Sequence, residues 1–543
     1  MIGRHGTVRT EIPGFPPAGA SPITPRRTDL DALRSFAMLL GVALHALLSF
    51  IAFPWPVHDT RRSDLLPLVL VAVHGFRMPL FFLLSGYFTM LVYDRRGLSP
   101  LLEQRFTRIF LPLVIATATI VPLDQAIERY AHRTIHPEPM VAAILAGDEA
   151  AVRRRLAEPG AVDRRDAFWR LEPLAWATMQ GDPAILGAVL DAGADARETD
   201  GSGNTPLHVA AYFGRDDAAR VLIDKEADPL AANVVGRLPA AILALPADLA
   251  SEFAPLIGLN PIGVDEAVEG RRRLRNVLPM GPNPEGTFGG LLDRAALAWS
   301  AALSTEWLRL RFGSWSLHLV QTNVFHHLWF LWSLCWLVAA FAILATTGLL
   351  PTGRSRWWLV AAACLPQAVM GVSIASGHGP DTSFGLLPRP HVLAFYACFF
   401  FFGVATFAAE GLETRLGRRW KLLLPAAVVL LVASLATMND RLLATVLQPA
   451  YAWTMSLGLI GLFTRFLARP SATVSWLADA SYWMYIVHVP LVMLAQLLVR
   501  PWPLPAAAKC LAVMALVMPV LLLSYRYGVR FTAIGRLLNG PRG

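Results

Sequence analysis

Arg34 and His45 stand eleven positions apart in a stretch, Arg26 to Phe53, that is otherwise apolar for about the length of a bilayer span. Eleven helical steps of roughly 100° return a side chain to nearly the same azimuth, so both lie on one face, about 16 Å apart along the axis. Arg34 then sits near one interface and His45 near the hydrocarbon midplane. Asp31, one turn before Arg34, is placed to neutralise and orient it. An imidazole at that depth is either a satisfied polar group between packed helices or part of a functional site. Arg105 and Arg108 begin a later apolar stretch three positions apart, a spacing that clamps a polyanion such as phosphate as readily as it anchors a span. Together these residues outline an anion site at the cytoplasmic end below a mid-membrane histidine.

Other polar residues lie inside apolar runs. His74 and Arg77 are one turn apart, and an arginine there must snorkel, pair, or face a wet cavity. Ser85 has no G-x-S-x-G elbow around it. HHLWFLWSL carries His326 and His327 among tryptophans expected at the outer interface, and SYWMYIVHVP brings Tyr482, Tyr485 and His488 to one side of a helix ended or kinked by Pro490. Polar groups spread over several spans suit a central cavity, in an enzyme or in a transporter. No HExxH, Walker, dinucleotide or kinase pattern is present, and no ligand spacing predicts a metal.

The elements that must position these groups are membrane helices. Ten apolar stretches are expected: 26–53, 65–93, 106–123, 326–350, 358–374, 393–410, 422–437, 452–467, 481–499 and 510–523. Alternate loops are rich in arginine, among them Arg95, Arg96, Arg105 and Arg108, then Arg415, Arg418, Arg419 and Lys421, then Arg526, Arg530 and Arg536. The intervening turns hold far fewer, for example Arg389, Arg441 and Arg500. The positive-inside rule therefore places both termini in the cytoplasm. The expected fold is all-α, with a flexible tail at 1–25, a membrane domain at 26–123 and 321–525 split by a soluble extracytoplasmic insert at 124–320, and a basic cytoplasmic tail at 526–543.

The insert repeats itself. EPLAWATMQGDPAILGAVLDAGAD, from Glu172, aligns with TPLHVAAYFGRDDAARVLIDKEAD, from Thr205, at an offset of 33. That period and the TPLH signature predict an ankyrin array of about four units at 140–245, with Thr205 capping a helix begun by Pro206 and His208 bonded to neighbouring backbone. Such an array offers a surface to a protein partner or braces the membrane domain.

Composition agrees with this organisation. The chain of 543 residues is 55% hydrophobic and 16% charged, with a mean hydropathy of +0.47, and repeated apolar runs of this kind do not fit one soluble core. A net charge of +9 raises the question of nucleic acid, but the basic residues sort into membrane loops, so no nucleic-acid partner is expected. Cys335, Cys364, Cys398 and Cys510 all lie in apolar stretches, as small hydrophobes.

The sequence resembles the acyltransferase 3 family of integral membrane acyltransferases, and within it the glucan-biosynthesis branch associated with succinyl transfer to periplasmic glucans. The resemblance rests on DLDALRSFAMLLGVALH, which holds the Arg-x10-His pattern as Arg34 and His45, on FRMPLFFLLSGYF, on the RxxR pattern as Arg105 and Arg108, on HLWFLW and on SYWMYIVH. The ankyrin insert departs from the usual pattern. The resemblance implies a bacterial inner-membrane O-acyltransferase that moves succinyl or acetyl from cytoplasmic acyl-CoA to a glycan hydroxyl on the far side, with no tightly bound cofactor. By the same resemblance His45 is the general base; Arg34, Arg105 and Arg108 hold the coenzyme phosphates; Arg77 and His327 line the cavity. By position and charge, Asp29 or Asp31 orients an arginine. A glycan or lipid transporter and an idle membrane scaffold presenting the array are the competing readings, and the motifs favour the enzyme.

Overall fold

The computed structural model describes residues 27–540 apart from internal stretches, the longest being 280–297 and 371–378. The expected tail at 1–25, Arg354 and the end of the fifth expected span lie outside the described residues. Eight described helical stretches are long and apolar enough to cross a membrane: Thr28–Phe50, Leu66–Arg96, Leu98–Ala131, His326–Thr346, Pro390–Glu410, Leu442–Phe466, Ala472–Val499 and Ala506–Val529. Two shorter apolar helices, Trp358–Val369 and Trp420–Ala436, stand where the other two expected spans fall. A small antiparallel hairpin, β1 (Arg309–Phe312) and β2 (Trp315–His318), is an addition to the expected all-α fold, with Arg309 opposite His318.

The helices that matter for the site are α1 (Thr28–Leu47), α2 (Leu66–Arg96), α3 (Leu98–Arg105) and α4 (Leu111–Thr134). Asp29 and Asp31 occupy the first turn of α1, where carboxylates complement the positive end of the helix dipole. A π-helical segment, Phe106–Phe110, joins α3 to α4. The third span was expected to end at Leu123, before the charge of Asp124, but α4 runs on to Thr134. Asp124 is buried. One charge with a buried partner does not end a helix whose backbone hydrogen bonds continue past it.

Among the described residues the insert holds three helix pairs: α5 (Pro139–Leu145) with α6 (Glu149–Leu156), α7 (Pro173–Gln180) with α8 (Pro183–Asp191), and α9 (Pro206–Phe213) with α10 (Asp216–Asp224). A fourth unit begins at α11 (Pro239–Ile242), with Gly236 outside the described residues. Gly181 and Gly214, one repeat apart, end the first helix of their pairs at φ of 89° and 69°, the left-handed turn that favours glycine. Thr205 caps α9 in a capping box with His208. Burial lowers the pKa of the His208 imidazole and so keeps it neutral. Its Nδ1 accepts from the Thr205 N–H at 3.1 Å, and its Nε2–H donates to Arg237 O at 2.8 Å in the next repeat. A helix, α12 (Val264–Leu274), follows the array.

The chain returns to apolar helices with α13 (Trp329–Thr346), α14 (Trp358–Ala362), α15 (Cys364–Val369), α16 (Pro390–Glu410), α17 (Trp420–Ala436), α18 (Arg441–Phe466), α19 (Ala472–Val499) and α20 (Ala506–Leu523), and closes with α21 (Ala533–Asn539). Their common core is strongly aromatic: Phe399 stacks on Trp453 at 3.8 Å between ring centres, and Phe82 meets Tyr396 at 4.5 Å. Helices α2 and α16 lock together through two glycines. A Cβ at Gly86 would overlap the Phe400 carbonyl, and one at Gly403 the Leu83 carbonyl. Gly86→Ala is therefore expected to destabilise the membrane domain by about 1–3 kcal/mol, seen as a lower melting temperature in detergent. An unchanged melt would mean the two helices part without cost.

Candidate active site

Helices α1 and α19 run side by side in the same direction, because Arg34 Nη2 donates to Ala478 O at 3.1 Å while His45 meets His488, ten residues further along α19. The two positions singled out on α1 thus face one neighbour along their length. At the far end Gln496 Nε2 donates to His45 O at 2.9 Å and Ala46 O at 3.2 Å, which satisfies carbonyls near the C-terminus of α1. Gln496 Oε1 accepts from Trp55 Nε1 at 2.8 Å, and the Trp55 ring lies 5.7 Å from that of His45.

The hydrogen-bond partners of the two imidazoles decide where their protons sit. His488 Nδ1 is 2.8 Å from Tyr485 O, an acceptor, so it carries the proton and its Nε2 is left with a lone pair. That lone pair faces His45 Nδ1 at 3.0 Å. Gly41 O, a second acceptor, lies 2.9 Å from the same nitrogen. Two acceptors on one nitrogen require it to be the N–H. In its neutral form His45 therefore keeps its lone pair on Nε2, the nitrogen turned away from both partners.

Two more groups approach this pair. His327 is 5.3 Å from His488 between ring centres, and its Nε2–H donates to Ile486 O at 3.1 Å. That carbonyl is orphaned within α19 because its helical partner four residues on would be the N–H that Pro490 lacks. The helix does not end at Pro490 but continues to Val499, as the ninth expected span does, with a histidine filling the gap. His327 turns Nδ1 toward the buried Asp124 carboxylate at 3.3 Å, without hydrogen-bond alignment. His327 thus turns inward, toward α19 and Asp124. From α2, Arg77 reaches α1 at Gly41, where a Cβ would overlap its Nη1. His74, one turn earlier, meets Pro380 O through Nε2 at 3.0 Å.

Of the three arginines of the expected anion site, Arg34 and Arg108 each lie within reach of the charge of Arg105. Arg34 faces Asp31 at 3.4 Å, with its Nε unpartnered. Arg105 Nη2 donates to Thr89 Oγ1 at 3.1 Å, and its Nε is likewise buried without a partner. Arg108 lies against Gly540 beyond the end of α21, where a Cβ would overlap its guanidinium. Among the described residues neither Arg105 nor Arg108 pairs with a carboxylate. Asp29 holds Arg27 through a two-point contact at 2.8 and 2.6 Å and accepts from Thr464 Oγ1 at 2.8 Å, so it fastens the start of α1 to α18. Of the two aspartates, Asp31 is the one on Arg34.

The residues thus fall into two groups, a cationic rim of Arg34, Arg105 and Arg108, and an inner cluster of His45, Arg77 and His327. His488, Gln496, Trp55 and Asp124 also belong to the inner cluster. The sequence places His488 on a polar helix face but pairs it with nothing, and the charge of Asp124 reads as the start of the insert. Trp55 lies in a short turn with no periodicity to read.

The acyltransferase-domain family matches residues 27–157 and 288–526, more than half of the chain, and three copies of ankyrin repeats match residues 140–233, overlapping the end of the first segment. The glucans biosynthesis protein C of Shigella dysenteriae serotype 1 is 36% identical over 87 residues, which is 16% of this chain and 23% of that protein. The proteins of the same name from Salmonella paratyphi B and Salmonella heidelberg are 35% identical over 92 residues, 17% of this chain and 24% of theirs. The matched stretch thus spans about a quarter of the length of these relatives.

Proposed function

We propose, from the premise that this chain belongs to the acyltransferase 3 family, that it transfers an acyl group, succinyl or acetyl, from cytoplasmic acyl-CoA to a hydroxyl of an extracytoplasmic glycan. The observation that carries the reading is the pair of contacts on His45 Nδ1, to Gly41 O and to His488 Nε2, which assigns the proton to Nδ1 and leaves Nε2 as the base inside the helical domain. The acceptor oxygen attacks the thioester carbonyl as Nε2 takes its proton. Collapse of the tetrahedral intermediate breaks the carbon–sulfur bond, and the same proton passes to the departing thiolate. Ester and free CoA are the products, and no proton is gained or lost.

The under-neutralised rim supports a polyanionic donor, since Arg105 and Arg108 lie together without a carboxylate partner. The arm of the coenzyme would run from that rim to His45, a rise of about 16 Å on α1. The name of the relatives favours a glucan acceptor. Arginine-rich loops favour a bacterial inner-membrane protein with both termini in the cytoplasm. The insert leaves α4 at the end away from the rim, hence on the acceptor side, where the ankyrin surface would bind a protein partner or the acceptor.

The test is an assay of purified full-length protein with acetyl-CoA and succinyl-CoA as donors and a periplasmic glucan as acceptor, following CoA thiol release and ester formation. Absence of acyl-CoA-dependent ester would overturn the reading. In the same assay Arg108→Gln is expected to raise KM for acyl-CoA about tenfold and leave kcat nearly unchanged, as loss of a partly exposed charge-assisted contact to a phosphate would. A kcat effect with constant KM would place Arg108 elsewhere in the mechanism.

A further inference from the structure

Among the described residues, Arg77 is the cation of the inner cluster whose donors are unspent. It lies far from either end of α2, and its Nε is shut away from solvent with no hydrogen-bond partner. Among the described residues its guanidinium makes no hydrogen bond and no ion pair. Leaving a guanidinium uncompensated in a membrane-spanning helix is costly, and such groups persist where a ligand or a developing charge completes them. Placement gives a second, independent indication. The guanidinium occupies the space of the absent side chain at Gly41, and the Gly41 carbonyl holds His45 Nδ1. Arg77 and His45 therefore meet α1 within one helical turn of each other.

Four N–H and O–H groups of the described cluster are already committed. His488 Nδ1–H is on Tyr485 O, Trp55 Nε1–H on Gln496, His327 Nε2–H on Ile486 O, and Tyr485 O–H on His327 O at 2.7 Å. Acyl transfer puts a full negative charge on the former carbonyl oxygen, and a site that accelerates it needs donors aimed there.

We infer that the Arg77 guanidinium binds the oxyanion of the tetrahedral intermediate, with the missing side chain at Gly41 as the opening that admits it. As the acceptor oxygen bonds to the thioester carbon, the carbonyl π pair moves onto oxygen beside Arg77. It returns when the carbon–sulfur bond breaks. The inference rests on the acyl-transfer reading above. It makes Arg77 indifferent to what the acyl group carries at its far end, because the oxyanion is common to every donor.

Full-length wild type, Arg77→Gln, Arg77→Lys and His45→Ala are compared with acetyl-CoA and succinyl-CoA, measuring kcat and KM for each. Arg77→Gln is expected to lower kcat about 10²–10³-fold with both donors, with KM for acyl-CoA within about twofold of wild type, and Arg77→Lys to recover part of the rate. If the glutamine variant fails to fold, Gly41→Ala replaces it; that change keeps the charge but displaces it, and the same loss in kcat is expected. A loss confined to succinyl-CoA would make Arg77 a reader of the donor's free carboxylate and overturn the inference, as would a change in KM alone or none at all. Failure of wild type to transfer from either donor would take the acyltransferase reading down with it. An active wild type and an inactive His45→Ala beside a fully active Arg77→Gln would remove this inference alone.

Discussion

His45→Ala is expected to slow acyl transfer about 10²–10⁴-fold, the range of a positioned general base, in a protein that still folds. The fold survives because the helix pair does not depend on this side chain. The α1 backbone at His45 and Ala46 is held by Gln496, and the start of α1 by Asp29 through Thr464 and by Arg34 on Ala478. What the variant loses is the bare Nε2 and a partner for His488 Nε2. Leaving that buried acceptor unpaired costs about 1–3 kcal/mol, a lower melting temperature but not collapse. KM for acyl-CoA should stay near wild type, since the phosphate-binding arginines lie toward the other end of α1. The alanine also leaves room for a free imidazole, so added imidazole should restore part of the rate if the lost group is a base. A folded variant that transfers as fast as wild type would end the assignment of His45, whatever the family of the chain.

Much of this arrangement can be read without coordinates, and the division follows the range of the signal. Arg34 and His45 share a face through helix geometry alone, and Arg105 and Arg108 lie together because they are three residues apart. The ankyrin units are legible because each repeat contacts only its neighbours, so a period of 33 carries the architecture. His488 is different. Its pairing with His45 joins residues 443 positions apart and depends on which faces of α1 and α19 pack, a choice made by the whole core. Asp124 is hidden for another reason: a charge at the end of an apolar run looks like the start of a loop, and only the inward-turned His327 makes it part of the helical domain. Pro490 reads as an end or a kink of its helix, and the sequence does not show that the carbonyl it orphans at Ile486 becomes the seat of that same histidine.

The second large effect is expected at His488, a positioning residue. His488→Leu should lower kcat roughly ten- to hundredfold, corresponding to the loss of about 1–3 kcal/mol of a buried hydrogen bond that orients the base. The effect is smaller than removal of His45 because Gly41 O still accepts from Nδ1 and keeps the lone pair on Nε2. What leucine removes is the second acceptor, which stops the ring from rotating about its χ2 axis and fixes the direction of Nε2. His488→Gln separates this role from packing. Its amide oxygen can replace the imidazole lone pair at a similar reach, so glutamine should recover most of the rate while leucine, equally buried, should not. The contrast between the two variants, read as kcat at saturating donor, is the measurement. Equal losses in both would reduce His488 to a filler of space, and an unaffected kcat in the leucine variant would mean that Gly41 alone holds the proton in place.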